Sequence, residues 1–443
     1  MQADVQTALV TRYCLHTEEW NRTGVTVTAI PPCPAAVCWE EKRCEVPKRV
    51  VLALVEEPFD FQTGFTELPM GLVEDLLSQS SKLAEHIRKQ IQEMEQVKKE
   101  VREQLKREGV LRRDGDFGYY DVPTSCGVDG AYATERLLAL DFGVAAAVAV
   151  EGIIPPSARS YWSDPQHKAH ADAYAHSDDT PVILRALMME FELELAEQAP
   201  HDVVFLDGSM ATPIILMDQA INRLIEQTKQ GTYHALAVKV LEGFPTYLRD
   251  YLSISSGKRS DKIRVASPKY SSNREFGKVL QWRIPLDDRA VFTYVLEAGE
   301  FAGPVQVQRP ARMWHLTPPN ENDEVAKQQI EKLINQLTSL QVIYYRPTAM
   351  VPAMRLEVPA PVATNDTRLA MLLQAVKHQC MTPGVMEPFP LYMADRMVKH
   401  IGAAMPALRQ NATTALTEDG IEAFDMDNVF FSLHGYRSES GGY

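Results

Sequence analysis

The chain has 443 residues, 45% of them hydrophobic, which is enough for about two to three domains with a sizeable core and too apolar for a disordered polypeptide. Its formal net charge of −14 excludes a free-standing, high-affinity nucleic-acid binder, because neutralisation of phosphates by Lys and Arg dominates such affinity; a DNA substrate would need a local basic groove or one lent by a partner. No signal peptide opens the sequence and no apolar run reaches the length of a membrane span, and six scattered cysteines (Cys14, Cys33, Cys38, Cys44, Cys126, Cys380) with no CxxC framework fit a reducing cytoplasm.

Residues 1–68 read as β-rich, with 24–30 and 49–55 as the clearest strands. Over 69–113 the pattern changes to a long helix: Leu83, Ile87, Ile91, Met94, Val97, Val101 and Leu105 recur at intervals of three and four, with charged residues between them. Such a helix is either a projecting, coiled-coil-like arm or an element lying across its own domain. The cluster Arg112-Arg113-Asp114-Gly115-Asp116 ends it and marks the entry to a core domain expected over 119–408, with a tail over 409–443.

In the core, strands are expected at 126–129 and 138–151, the first ending on Asp129-Gly130. A polar stretch with His167, His170 and His176 follows; its irregular spacing argues for a mobile, solvated loop over a ligand set. The 181–198 helix then carries one apolar face of Leu184, Leu187, Met188, Phe191 and Leu195. Glu192 and Glu194 fall at the margins of that face, and Glu190 and Glu197 further round toward solvent. A strand over 202–210 carries Asp207-Gly208-Ser209 and leads to a helix over 217–230.

An isolated Asp-Gly is ordinarily a turn. Two of them, each following an apolar run, put two carboxylates at strand ends, where neighbours can share a hard divalent cation. Glu192, and after it Glu194, is the candidate third acid. Strand, strand, helix, strand, helix is an α/β order compatible with an RNase H-like mixed sheet.

Lys258, Arg259, Lys262, Arg264, Lys269, Arg274 and Lys278 make the one locally basic stretch, read as phosphate contacts, with Tyr270 as a stacking surface for an unpaired base. Beyond it, strands are expected at 282–285, 291–296 and 342–345 and a helix at 324–337, with His315 in the core. Helices over 367–379 and 391–401 close the domain, the second presenting Asp395 and His400. These two are five residues apart and do not share a helical face, so only one should enter the site. The remaining tail, including Val429-Phe430-Phe431 and His434, carries no identifiable chemistry.

Four short motifs in order, namely Asp129-Gly130 with its following Arg-Leu-Leu run, the Glu-bearing helix, Leu206-Asp207-Gly208-Ser209, and Ala266-Ser267-Pro268-Lys269-Tyr270-Ser271-Ser272, together resemble the NurA nuclease family. Pro388-Phe389-Pro390-Leu391-Tyr392-Met393-Ala394-Asp395 resembles that family's C-terminal helix start. The resemblance implies an RNase H-like fold, Mn²⁺- or Mg²⁺-dependent DNA cleavage, a homodimer, and partnership with a hexameric HerA-type DNA-translocating ATPase in DNA repair or antiviral defence. It also implies that Asp129, Asp207 and Glu192 (or Glu194) bind metal, that Lys269 lies near the scissile phosphate, and that Asp395 or His400 completes the site. Ala131 departs from the family, which usually has Ser there. The rival from another class is a non-catalytic scaffold or DNA-binding subunit of the same fold, which loss of Asp129 or Asp207 would have favoured; both are present.

Overall fold

Among the described residues nine strands join in one mixed sheet, and the alternation of side chains along them gives that sheet two apolar faces, each covered by helices. The computed structural model describes residues 68–418, apart from 119, 232–233, 270–272, 283–285, 309 and 311–312. The β-rich reading of 1–67, Cys14, Cys33, Cys38 and Cys44, Tyr270, most of the 282–285 strand, and the tail from 419 with Val429-Phe430-Phe431 and His434 lie outside the described residues.

The order begins α1 (Met70–Arg107), β1 (Leu111–Arg113), a 3₁₀ turn (Asp114–Phe117), β2 (Ser125–Arg136), β3 (Asp141–Glu151), β4 (Gln166–Tyr174), α2 (Thr180–Gln198), β5 (Val203–Asp207), α3 (Thr212–Lys229), α4 (Leu236–Ser256) and β6 (Ile263–Ser267). It continues through α5 (Glu275–Val279), α6 (Asp288–Val295), β7 (Glu300–Gln306), α7 (Glu324–Thr338), β8 (Gln341–Arg346), β9 (Met354–Val358), α8 (Ala360–Ala363), α9 (Asp366–Gln379), α10 (Phe389–Lys399) and α11 (Ile401–Glu418). In space the strands run β1-β7-β8-β9-β6-β5-β2-β3-β4. Only β2–β5 and β5–β6 among these neighbours are parallel. The expected α/β architecture, a mixed sheet flanked by helices and preceded by a long helix, is the one observed.

The described residues from Ser80 on form one compact unit. On one face of its sheet, Cys126, Val128, Val204, Leu206 and Ala266 pack under α2, α3 and α4. On the other, Val203, Phe205, Ile263 and Val265 pack with Leu369, Leu372 and Leu373 of α9 and Leu391 of α10. Met94, Val101 and Leu105 of α1 are buried in the first core, whereas Leu83, Ile87 and Ile91 of the same stripe are exposed. Arg102 ties the buried end of the helix to β7 by a two-pronged pair with Glu300 at 2.7 and 3.0 Å.

Three local expectations fail for identifiable reasons. The 291–296 segment is helical: Asp287 caps α6 by accepting from the Ala290 amide at 2.9 Å, and Val291, Phe292 and Val295 meet on one buried face at helical spacing, although their β-branched and aromatic character suggested a strand. The stretch with His167 and His170 is not a loop but β4, an edge strand whose polar side chains reflect one solvent-facing edge, with Val148 opposite His167 and Ala145 opposite His170. His315 is exposed rather than in the core, its Nδ1 3.2 Å from Asp218 Oδ1, because Leu316 alone of its flanks is fully buried.

Candidate functional site

Asp129 stands within the twelve-residue β2, not at its end as the sequence suggested. What ends there is the parallel partner: the β2–β5 pairing runs from Ser125 opposite Val203 to Val128 opposite Leu206. The next residues, Asp129 and Asp207, therefore emerge together, and strand periodicity sends both to the same face. Asp207 in turn is opposite Ser267 of β6, and Lys269, two residues on, follows the same direction. Helix α10 packs on this face of β2 and supplies Asp395. Carboxylate oxygens of Asp129, Asp207 and Asp395 all lie within 4.8 Å of one another.

The two Asp-Gly pairs serve different purposes. Gly208 has φ +73 and makes the turn that leaves β5, a conformation glycine adopts without steric cost. Gly130 stays within its strand, and its value is emptiness: a Cβ there would lie 2.5 Å from Glu192 Oε1 and 2.7 Å from Met188 Cγ. Glu192 thus reaches Asp129 from α2, through the opposite face of the sheet. Its burial, and after that the charges of Asp129 and Asp207, hold its carboxyl well above the ordinary glutamate range. Burial, then Asp207, push Asp129 up to about 8.

The Lys269 ammonium sits among these acids, with Nζ 3.3 Å from Asp207 Oδ2, 3.3 Å from Glu387 Oε2 and 3.2 Å from Asp395 Oδ1. Burial works against its charge, but Asp207, Glu387 and Asp395 outweigh that and hold the amine above its ordinary range. Lys399, one helical turn after Asp395, donates to Asp395 Oδ2 at 2.7 Å. Although burial penalises its charge, the Asp395 carboxyl stays below its usual range because of these two lysines.

Two further acids, Glu387 and Glu357, support the site on little sequence signal. Glu387 immediately precedes Pro388-Phe389-Pro390, and its signal was its place beside a helix start already tied to the site. Glu357 of β9 is buried; its Oε2 accepts from Ser209 Oγ at 2.8 Å and the Met210 amide at 2.9 Å, fixing the turn after Asp207. Its Oε1 accepts from Arg355 Nε at 2.9 Å, and Arg355 is also gripped by both oxygens of Glu275 at 2.6 and 2.8 Å. The alternation of Arg355 and Glu357 within a buried strand was the available signal.

Other candidates lie elsewhere. Glu194, two residues and about 200° of helix beyond Glu192, is ion-paired with Lys168 of β4 and accepts from Gln198. His400 is exposed at the C-terminal cap of α10, outside the carboxylate cluster. Glu190, expected toward solvent, is buried because α4 covers the outer side of α2, where Gly243 lies against it. The basic stretch is not one surface: Lys258, Arg259 and Lys262 precede β6 and lie at the end of that strand remote from Lys269. Arg259 is paired with Asp261 at 2.8 Å. Arg264 is buried and donates to the Glu197 carbonyl at 3.3 Å, and Arg274 donates to the Trp282 carbonyl at 3.0 Å. Strand alternation and local acids scatter what proximity in sequence had grouped.

A cavity of about 410 Å³ opens at Asp129, Asp207 and Asp395 and extends past Glu192 to Met188, Met210 and Tyr251. Tyr132 and Arg185 also line it, the guanidinium 5.8 Å from the ring centroid.

No family model matches the sequence, and no curated protein matches it. Among solved structures, the NurA nuclease from Sulfolobus solfataricus is similar with a TM-score of 0.51 at 12% identity, over 80% of this chain and 99% of that one. A second NurA structure has a TM-score of 0.45 at 14% identity, over 76% and 97% of the two chains. NurA bound to dAMP and manganese has 0.41 at 13% identity, over 73% and 95%. The first of these carries the structural conclusion: the chain has the fold of the Sulfolobus NurA nuclease across most of its length.

Proposed function

We propose that this chain is a divalent-metal-dependent nuclease that hydrolyses DNA phosphodiesters at the Asp129, Asp207 and Asp395 cluster. One observation carries the reading: three carboxylates from three separate elements converge within 4.8 Å, with Glu192 buried beneath them. Such crowding is costly unless a cation neutralises it, and an all-oxygen donor set suits Mg²⁺ or Mn²⁺. Asp129, Asp207 and Asp395 would hold the ion, with Glu192 as the supporting fourth acid. When bound, a divalent ion polarises a phosphoryl oxygen and lowers the pKa of water.

The remaining roles belong to the protein. Lys269 offsets charge developing on the phosphoryl oxygens. Glu192 lies buried beneath the cluster, where burial, and after it the charges of Asp129 and Asp207, disfavour its anion. Arg185 and Tyr132, lining the cavity beside the acids, offer a strand one cation and one ring face. An acidic chain whose Lys and Arg are dispersed and locally paired does not by itself form a continuous track for DNA. This supports the division of labour that the family resemblance suggests, in which a homodimer receives DNA from a hexameric HerA-type ATPase for end processing in repair or in defence against foreign DNA. Among the described residues no helix is long and apolar enough to cross a membrane.

The test is cleavage of a linear duplex and of a single strand in Mn²⁺ or Mg²⁺, with and without a HerA-type ATPase, comparing wild type with Asp129→Ala, Asp207→Ala and Asp395→Ala. Metal-dependent cutting that all three substitutions abolish is the expected result, and its dependence on the ATPase assigns the motor. An inert wild type, or variants that cut as well as it does, would overturn the reading in favour of a non-catalytic scaffold.

A further inference from the structure

Lys269 occupies the place where a cation is wanted. Its Nζ is 3.3 Å from Asp207 Oδ2 and 3.2 Å from Asp395 Oδ1, two of the three acids of the cluster. A divalent ion and an ammonium cannot share those oxygens at that range without strong repulsion. The third acid touching Lys269, Glu387 at 3.3 Å, is not part of the cluster, is only partly exposed, and lies on the segment leading into α10.

We infer that Glu387 is a positioning residue: it takes sole charge of the Lys269 ammonium when a divalent cation claims Asp207 and Asp395, and so keeps that ammonium at the site. Without a divalent ion, Lys269 bridges all three acids. With one bound, the ammonium withdraws from the aspartates but need not leave, because Glu387 already contacts it and still balances its charge. With Asp129, Asp207, Asp395 and Glu387 ionised against Lys269 and Lys399, one divalent ion brings the group to neutrality. Loss of Glu387 leaves Asp207 and Asp395 as the carboxylates that Lys269 already contacts, and there it competes with the ion. This inference rests on the reading of the cluster as a cation site.

The test is a double-substitution cycle read by Mn²⁺ binding, with free Mn²⁺ followed by electron paramagnetic resonance, in wild type, Glu387→Gln, Lys269→Met and the double variant of the full chain. Melting curves recorded without metal establish that each is folded. Lys269→Met is expected to bind Mn²⁺ more tightly than wild type, since it removes a competing charge, while cleaving more slowly. Glu387→Gln is expected to weaken Mn²⁺ binding on the order of tenfold when Lys269 is present and by less than about twofold in the Lys269→Met background. Glu387→Asp should restore most of the affinity and would report on positioning even if the amide variant failed to fold. Equal weakening in both backgrounds would overturn the inference, because Glu387 would then act directly on the ion. No weakening in either background would also overturn it. If wild type and Lys269→Met both fail to bind Mn²⁺, the cation-site reading itself falls and the inference with it.

Discussion

Gly127→Ala tests how the site is held, two residues away from any acid. Gly127 lies on the α10 face of β2, and the backbone of α10 rests directly on it. A Cβ at this position would stand 2.4 Å from the Leu391 amide nitrogen, 2.5 Å from the Pro390 carbonyl carbon and 2.7 Å from the Leu391 Cα. Ordinary contact begins at 3.4 Å, so the helix start must withdraw by about 1 Å. Backbone atoms at a proline-led helix start have no rotamer to yield, so the displacement passes to α10 as a body and to Asp395, one turn along. Overpacking of this kind costs about 1–3 kcal/mol, and a 1 Å misplacement of a catalytic group costs roughly 100-fold in rate. Thermal melts and Mn²⁺-dependent cleavage, measured well below the melting temperature, separate the two effects. Gly402→Ala in α11, where nothing lies within 4 Å of the added carbon, is the control and should leave both nearly unchanged. A Gly127→Ala protein that binds Mn²⁺ and cleaves like wild type would refute the claim that the seating of α10 on β2 sets the position of Asp395.

Gly130→Ala should act from the opposite face: its Cβ meets Glu192 Oε1 at 2.5 Å, so Glu192 is forced aside, and cleavage should fall by more than tenfold while Asp395 is undisturbed. An unchanged cleavage rate would show that Glu192 plays no part. Because Asp129 is pushed up to about 8, it carries a proton at neutral pH that a cation must displace. Mn²⁺ affinity should therefore rise with pH up to about 8 and level off above it, and Asp129→Asn should remove both affinity and slope. A flat profile by calorimetry at several pH values would contradict this. Glu357→Ala strips Ser209 Oγ and the Met210 amide of their acceptor and leaves Arg355 with one acid fewer, for a loss of roughly 3–5 kcal/mol in denaturant unfolding; a loss below 1 kcal/mol would remove Glu357 from the supports of the turn. Burial lowers the pKa of His201 and His234 below 6.5, so each unfolds to a form that binds protons more readily. Their contribution is complete above pH 6.5 and is lost as pH falls below it, and His234→Gln should flatten the acid side of the stability profile, as measured by denaturant melts from pH 5 to 8.

Much of this architecture is legible in one dimension. Apolar runs ending in Asp-Gly mark β2 and β5, and helical spacing marks α1, α2, α7, α9 and α10 to within a few residues, because these signals arise from neighbours along the chain. Asp129 and Asp207 could be named for the same reason. The segment at 291–296 reads as a strand yet is helical because an Asp cap and a packing partner outweigh strand preference, and β4 reads as a loop because an edge strand with polar side chains lacks the usual alternation.

What the sequence by itself determined are the pieces: most of the strands and helices, and the two aspartates that precede glycine in them. Their convergence is a tertiary matter. That Asp129 and Asp207 surface side by side follows from the parallel register of Val128 with Leu206, and the third acid is Asp395 rather than His400 because α10 rests on Gly127. Glu192 faces the site and Glu194 faces Lys168 because α2 lies against the gap at Gly130. Glu357 and Glu387 join through contacts more than a hundred residues away in sequence. Charge clusters are the least legible of all, since pairing depends on distance in space: the basic run at 258–278 is split by the length of β6, and only Lys269 of its members meets the aspartates.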